Sequence, residues 1–274
     1  MALTYQNRLQ NLAAQTSTHL YLWPSPPLRP FVAHYTLCLG EGTSAPTQDF
    51  LPLTIFPDAS GCLTFTLKGG ELEGLLYGPS SRAVRVDNDL GVCPLRFFVE
   101  FRPGGLSAFT AMPLWELADL VIPLDQGEGE LDRVVQDCWQ RREDLDGFVE
   151  AVDRELQARL RGSASFSKLL ARYMADRQSP ESLAGETGYS SRHLTRLFRE
   201  RCGLSPKGLQ RILRVNTAAR LMRKPGEVSL THLAQELGYF DQAHFIHDFR
   251  SVCGVTPGTY RAELSDFYNE PLKF

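Results

Sequence analysis

A chain of 274 residues with 43% hydrophobic content is long enough for two domains, each with a sizeable core. No apolar run approaches the length of a membrane span, and residues 1–23 lack the basic start and apolar centre of a signal peptide, so a cytoplasmic protein with no membrane partner is expected. The net charge of −3 is divided unevenly: residues 161–266 hold sixteen Lys and Arg against ten Asp and Glu, a net of +6, whereas residues 1–160 hold twelve against twenty-one, a net of −9. Such asymmetry points to a basic nucleic-acid module carried by an acidic partner domain.

The six cysteines, at positions 38, 62, 93, 138, 202 and 253, form no C-x-x-C pair and show no zinc spacing. In an intracellular chain they read as reduced, small, buried side chains.

Residues 1–30 are a weak element ending in the proline-rich run Trp23-Pro24-Ser25-Pro26-Pro27-Leu28-Arg29-Pro30, which excludes a helix there. Strand-like runs follow at Phe31–Leu39, Leu51–Phe56, Cys62–Leu67, Ala83–Val86 and Leu95–Phe101, with Pro57–Gly61 and Lys68-Gly69-Gly70 as turns. Short strands at this spacing suggest an antiparallel barrel or curled sheet.

After Phe101-Arg102-Pro103-Gly104-Gly105 the pattern changes to helix, over Leu106–Met112 and again over Leu114–Asp119. Between Leu131 and Leu160 two apolar faces recur at helical spacing: Leu131, Val134, Val135 and Cys138, then Phe148, Val149, Val152, Leu156 and Leu160. These helices are expected to pack on their own barrel, and they also offer the best candidates for a dimer contact. Residues 161–165, Arg-Gly-Ser-Ala-Ser, read as a linker between a regulatory domain at 1–160 and a DNA-binding domain at 166–266.

The second domain says nearly the same thing twice. Leu183, Ala184, Gly188 and Tyr189 recur fifty positions later as Leu233, Ala234, Gly238 and Tyr239. Phe198, Arg199, Cys202, Gly203 and Pro206 recur fifty-one later as Phe249, Arg250, Cys253, Gly254 and Pro257, so one extra residue lies in the second copy's turn. Each copy reads as a short helix, a glycine turn and a longer helix. Ser179 caps the first with Pro180 at its first position, Gly188 ends it, and Ser190 or Ser191 caps the next. Leu194, Leu197 and Phe198 then form one stripe, and Arg192, Thr195, Arg196 and Arg199 the opposite one. Leucines on one side and arginines on the other suit a helix laid in a DNA major groove, and two such units joined by a long helix at Leu209–Met222 can reach successive grooves, about 34 Å apart.

The run Gly188-Tyr-Ser-Ser-Arg-His-Leu-Thr-Arg-Leu-Phe-Arg199 with Cys202-Gly-Leu-Ser-Pro206, and its echo Gly238–Arg250 with Gly254-Val-Thr-Pro257, resembles the AraC/XylS family of bacterial transcription regulators. The resemblance implies seven helices and two helix-turn-helix units. By position it makes Arg192, Thr195 and Arg196 base-reading residues of the first unit, and Gln242, Ala243, His244, Ile246 and His247 those of the second. Arg199, Arg211 and Arg250 are expected on phosphates. The second unit departs from the family pattern, with Ile246-His247 where Ser-Arg is frequent and acidic Asp248 at the position of Leu197. Arginine holds guanine through two hydrogen bonds and isoleucine offers only apolar contact, so the first unit is expected to discriminate more strongly. The Phe101–Gly105 run with Glu116-Leu117-Ala118-Asp119 resembles an uncharacterised sensor-type domain found ahead of such modules.

Enzyme chemistry finds little to stand on. Only His19 and His34 precede the DNA module, too few for a two- or three-histidine metal site, and there is no G-x-S-x-G elbow, phosphate loop or H-E-x-x-H. The acid pairs Glu71 with Glu73 and Asp87 with Asp89 lie beside turns and read as solvated. The aromatics of the first domain, including Tyr35, Phe65 and Phe97, read mainly as core, and none is assigned to a ligand.

The expectation is therefore an α+β chain: a β-barrel-like regulatory domain with flanking helices, then an all-α domain with two helix-turn-helix motifs. Its function is sequence-specific binding of an operator in double-stranded DNA, without a catalytic residue, metal or cofactor. RNA polymerase, a small-molecule effector of the first domain and a second copy of the chain are the further partners expected, and activation is the commoner outcome the resemblance implies. The alternatives are a ligand-binding or enzymatic barrel tethered to DNA, and a constitutive dimeric binder with no effector.

Overall fold

The computed structural model describes residues 5–16, 19–39, 53–57, 59–68, 71–86, 95–127, 129–161, 164–176, 179–224, 226 and 229–263. The first part contains β1 (Leu12–Gln15), β2 (His19–Leu22), β3 (Val32–Leu39), β4 (Leu53–Ile55), β5 (Cys62–Lys68), β6 (Glu71–Tyr77), β7 (Val84–Val86) and β8 (Leu95–Phe101). A 3-10 turn (Gly105–Ala108), α1 (Leu114–Leu117), β9 (Val121–Pro123), α2 (Leu124–Gly127), α3 (Gly129–Trp139) and α4 (Leu145–Ala158) follow. The helical part contains α5 (Ser165–Ala175), α6 (Pro180–Thr187), α7 (Ser191–Cys202), α8 (Pro206–Met222), α9 (Leu230–Glu236), α10 (Gln242–Cys253) and α11 (Pro257–Ala262).

Among the described residues every strand pairing is antiparallel, in a seven-stranded sheet of order β1-β2-β3-β8-β5-β6-β9 and a separate two-stranded ribbon of β4 with β7. The alternation in Cys62–Lys68 explains the face that β5 presents: Leu63 and Phe65 are buried, opposite Val99 and Phe97 of β8. Helices α3 and α4 close over this face. Phe148 of α4 meets Phe97 edge-on at 5.0 Å and Trp139 of α3 at 5.9 Å, and Leu131, Val134, Cys138, Val149, Val152 and Leu156 join the same core. The amphipathic faces of these helices are thus spent on their own domain. The Tyr35 hydroxyl donates to Asp153 of α4 at 2.8 Å, and burial, with the nearby carboxylate, holds its pKa well above the usual tyrosine range. Asp146 of α4, nearly inaccessible, accepts the backbone N–H groups of Gln6 and Arg8 at 2.7 Å each and ties the start of the described chain to the helix.

The expected helix over Leu106–Met112 does not form. The 3-10 turn stops at Ala108, Phe109 leaves helical geometry at φ −121°, and the Thr110 hydroxyl takes the Met112 amide at 3.0 Å just ahead of Pro113. Proline restricts the residue before it to extended backbone, so the turn cannot run on into α1. Likewise α1 ends at Leu117 rather than Asp119: Asp119 sits at φ 60°, its carboxylate held by the Ser81 amide at 2.7 Å and the Ser81 hydroxyl at 2.6 Å. Strands β1, β2, β6 and β9 lie where no strand is expected from the sequence. Asp87, Asp89 and Cys93 fall outside the described residues, whereas Glu71 and Glu73 are exposed on β6.

The helical part has two cores. One gathers Leu170, Tyr173, Leu183, Leu194, Phe198, Cys202, Leu209 and Ile212; the other gathers Val215, Ala218, Met222, Leu233, Leu237, Phe245, Phe249 and Tyr260. Helix α8 runs through both, its first half in one and its second in the other. Six of the helices begin on a capping side chain that accepts the amide three residues on: Ser179, Ser190, Ser205, Ser229, Asp241 and Thr256. Each such cap is worth about 1 kcal/mol. Cys202 and Cys253 occupy equivalent buried sites, and burial raises the Cys253 thiol far above its ordinary pKa, which keeps it unreactive.

The sheet domain packs onto this helical part at several points. Phe56, just past β4, meets the Tyr260 ring edge-on at 5.3 Å. Asn216 of α8 donates to the Pro57 carbonyl at 2.7 Å, the Cys202 thiol approaches the Ala59 carbonyl at 3.8 Å, and the Ala83 amide donates to the Val252 carbonyl at 2.7 Å. The Arg-Pro-Gly-Gly run lies in this junction. A Cβ at Gly104, which sits at φ +75°, would lie 3.0 Å from Leu170 and Phe166 of α5, and one at Gly105 would lie 2.0 Å from the Phe31 carbonyl oxygen. Arg102 itself donates from Nε to the Arg29 carbonyl at 2.8 Å, a turn contact.

Candidate nucleic-acid interface

The first unit is α6, a turn at Gly188 and α7. Gly188 adopts φ +70°, a conformation that glycine takes without the steric cost of a Cβ, and its N–H bonds back to the Ala184 carbonyl. The Thr187 hydroxyl donates to the Leu183 carbonyl at 2.7 Å and accepts the Tyr189 amide at 3.3 Å, which fixes the exit angle. Ser190, not Ser191, is the cap of α7, accepting the His193 amide at 3.2 Å.

Leu194, Phe198 and Cys202 then point into the core. Arg192, Arg196 and Arg199 are exposed, and Thr195 is half-buried with its hydroxyl donated to the Ser191 carbonyl at 2.9 Å. Arg196 rests loosely on its own helix, 3.3 Å from His193 Nδ1 and 4.0 Å from Glu200, while the His193 ring leans on Tyr189 at 4.6 Å. Exposed pairs of this kind contribute little, so a stronger partner would free the guanidinium at small cost. Along this face runs an open groove of about 710 Å³, lined by Ser191, Arg192, Thr195, Arg196, Arg199, Glu200 and, from the sheet domain, Trp115.

The second unit repeats the plan with α9, a turn at Gly238 (φ +74°) and α10. Asp241 caps α10, accepting the His244 amide at 2.7 Å, and Gln242 accepts the Thr231 hydroxyl of α9 at 2.7 Å. Ala243, His244, His247 and Arg250 are exposed and Gln242 is half-buried. Ile246 is also half-buried and packs against the second core, so only part of its side chain faces outward.

Asp248, by contrast with its counterpart Leu197, is buried and lies 3.8 Å from Arg214 of α8, 3.9 Å from His244 and 4.0 Å from His247. Arg214 in turn covers the Tyr239 ring at 4.5 Å, a cation–π contact on a tyrosine whose pKa burial pushes up to about 12.

The ten residues singled out by sequence thus divide into two groups on two helices, Arg192, Thr195, Arg196 and Arg199 on α7 and Gln242, Ala243, His244, Ile246, His247 and Arg250 on α10, none of them fully buried. Sequence reasoning missed Trp115, 51% exposed and placed on the α7 groove by a fold contact that no local pattern encodes. It also left unused the extra residue of the second turn, Phe240, which is 92% exposed. Among the described residues no three His, Cys, Asp or Glu side chains come together as a metal site, and no helix is long and apolar enough to cross a membrane.

A family model described as a helix-turn-helix domain matches residues 183–263, and one described as a domain of unknown function (DUF6597) matches residues 21–123. Among curated proteins, the HTH-type transcriptional regulator GlxA of Rhizobium meliloti (strain 1021) is 35% identical over 80 residues, 29% of this chain and 24% of that protein. The HTH-type transcriptional activator RhaS of Escherichia coli (strain K12 / DH10B) is 30% identical over 162 residues, 56% of each chain. The match thus spans a little over half the length of RhaS and about a quarter of that of GlxA. Among solved structures, ToxT from Vibrio cholerae aligns over 83% of this chain and 96% of its own at 11% identity and a TM-score of 0.42.

Proposed function

We propose that this chain, whose residues 183–263 are a helix-turn-helix domain of the AraC/XylS type, is a transcription regulator that binds an operator in double-stranded DNA through both of its helix-turn-helix units. The observation that carries the reading is the two-faced character of α7 and α10: Leu194, Phe198, Phe245 and Phe249 are locked into the two cores while the polar and basic residues opposite them stand at the surface. The net of +6 over residues 161–266 supplies the sequence-independent attraction to phosphate, which makes binding salt-sensitive.

In this mechanism Arg192 and Arg196 read bases, with Thr195 between them, and Arg199, Arg211 and Arg250 neutralise phosphates. Gln242, Ala243, His244, Ile246 and His247 read the second half-site through weaker contacts. Residues 1–160 act as the regulatory domain, residues 161–165 as the linker and residues 166–266 as the DNA-binding domain. The regulatory domain biases the pair of units through the junction, where Phe56, Pro57, Ala59 and Ala83 touch α7, α8, α10 and α11 or the residues beside them. A small-molecule effector or a second subunit supplies the bias, RNA polymerase is the downstream partner, the cytoplasm is the compartment, and no catalytic role belongs to the chain.

Selection of bound duplexes from a random pool by the full chain tests this reading. A two-part motif with half-sites about one helical turn apart is expected, bound more weakly as salt rises. Equal retention of all sequences, or none, rules the reading out.

A further inference from the structure

The repeat offset changes from fifty to fifty-one between Tyr239 and Asp241, and the residue that changes it is Phe240. Ser190 and Asp241 are both helix caps accepting the amide three residues on, so the insertion falls in the turn, directly ahead of α10. Both neighbours are anchored. Tyr239 is buried beneath Arg214, with His244 and Phe245 against its ring at 5.2 and 5.3 Å, and the Asp241 carboxylate is committed to the His244 amide. The phenyl ring between them remains 92% exposed, against 51% for Trp115, the next most exposed large hydrophobic among the described residues. A phenylalanine so placed forgoes the burial that ordinarily rewards its type.

We infer that Phe240 reads a thymine methyl group in the half-site met by the second unit, an inference that rests on the regulator reading above. The amino end of a recognition helix is the part that meets base edges. A phenyl there has no hydrogen bond to offer, and the only apolar group on the major-groove edges of the four bases is the methyl of thymine. The residues that follow suit such a division of labour: α10 carries no arginine before Arg250, and much of the apolar surface of Ile246 is already turned to the core. Wedging between base steps, the other use of an exposed phenylalanine on DNA, belongs to the minor groove, whereas the recognition helix of a helix-turn-helix lies in the major groove.

The experiment starts from the duplex that the full chain selects. Wild type and Phe240→Ala are titrated against that duplex and against copies in which each thymine of the second half-site is replaced singly by uracil, which deletes the methyl and nothing else. At one position wild type is expected to lose about three- to ten-fold in affinity. Phe240→Ala is expected to show the same loss on the unmodified duplex and no discrimination between thymine and uracil there, with Phe240→Leu between the two. A melting curve for each variant separates lost contact from lost fold, and an exposed side chain predicts no shift. Phe240→Ala binding like wild type, or retaining the full thymine preference, overturns the inference alone. A variant that keeps DNA affinity and thymine preference but fails in a transcription reporter also overturns it, by making the ring a protein contact. Wild type that selects no duplex overturns the regulator reading and this inference with it.

Discussion

Asp248 Oδ2 lies 3.8 Å from Arg214 Nη2, so α10 is tied to α8 by an ion pair at the repeat position where α7 carries Leu197. The carboxylate is buried and the guanidinium only partly so, while Arg214 also covers Tyr239, the buried residue that starts the turn. One acid thus orients the cation that holds the turn in place.

Replacing Asp248 by Asn is expected to destabilise the protein by about 1 kcal/mol, because the charge opposite Arg214 is lost while Arg214 keeps partial access to water. Urea unfolding checks this. DNA affinity measured well below the unfolding transition should fall with it if the turn loosens, and Leu197→Ala, in the first unit, should leave the second half-site's contribution unchanged.

Arg196→Ala is expected to cost about ten- to a hundred-fold in operator affinity, the range of one bidentate guanine contact, and to relax preference at a single base position. His247→Ala should cost less. Arg199→Ala should weaken all sequences alike and reduce the salt slope by about one. Titrations of the three variants over a salt series decide it, and a larger loss for His247→Ala than for Arg196→Ala reverses the ranking of the two units.

Trp115 makes DNA entry visible. The chain has three tryptophans; Trp139 lies in the core, Trp23 is on the far side of the sequence from the module, and Trp115 lines the α7 groove. Operator DNA is expected to change the intrinsic emission, and Trp115→Phe to abolish most of that change while leaving the fold intact. An undiminished change in the variant places the duplex elsewhere.

The helical part is legible in the sequence because its signals are local and repeated. Ser179 with Pro180, the glycines at 188 and 238, and the leucine and phenylalanine stripes each act within one turn of helix, and the repeat checks one against the other. The sheet is legible at β3, β4, β5, β7 and β8, where apolar, β-branched and aromatic runs stand between turn residues. Strand β6 hides because Gly74 interrupts it; a Cβ there would lie 2.9 Å from Leu124 of α2 and 3.1 Å from the ring of Phe65, its partner across the strand pair, so the glycine is set by packing that no local pattern shows. The same holds for β9, only three residues long with a proline, which pairs with Leu75–Tyr77 across more than forty positions. The candidate site is legible as two helix faces, whereas Trp115 and the junction are not, since contacts between residues near 57, 104 and 115 and the helices beyond 165 leave no periodic trace.

Gly203 and Gly254 test the junction against the repeat. They end α7 and α10 in the left-handed region, at φ +78° and +77°, and both return their N–H to the arginine four residues back. Among the described residues a Cβ at Gly254 meets nothing within 4 Å, whereas one at Gly203 lies 3.1 Å from the Leu114 carbonyl oxygen and from Pro79, both in the sheet domain. Alanine at either site carries the left-handed strain, about 1–2 kcal/mol. Only Gly203→Ala also pushes on the neighbouring domain, through backbone that cannot swing aside. Gly254→Ala is therefore expected to lower the unfolding midpoint by the strain alone, and Gly203→Ala to lower it further and to speed proteolytic cleavage near residues 161–165. Equal midpoints and equal cleavage rates for the two variants would mean that α7 does not press on the sheet domain in solution.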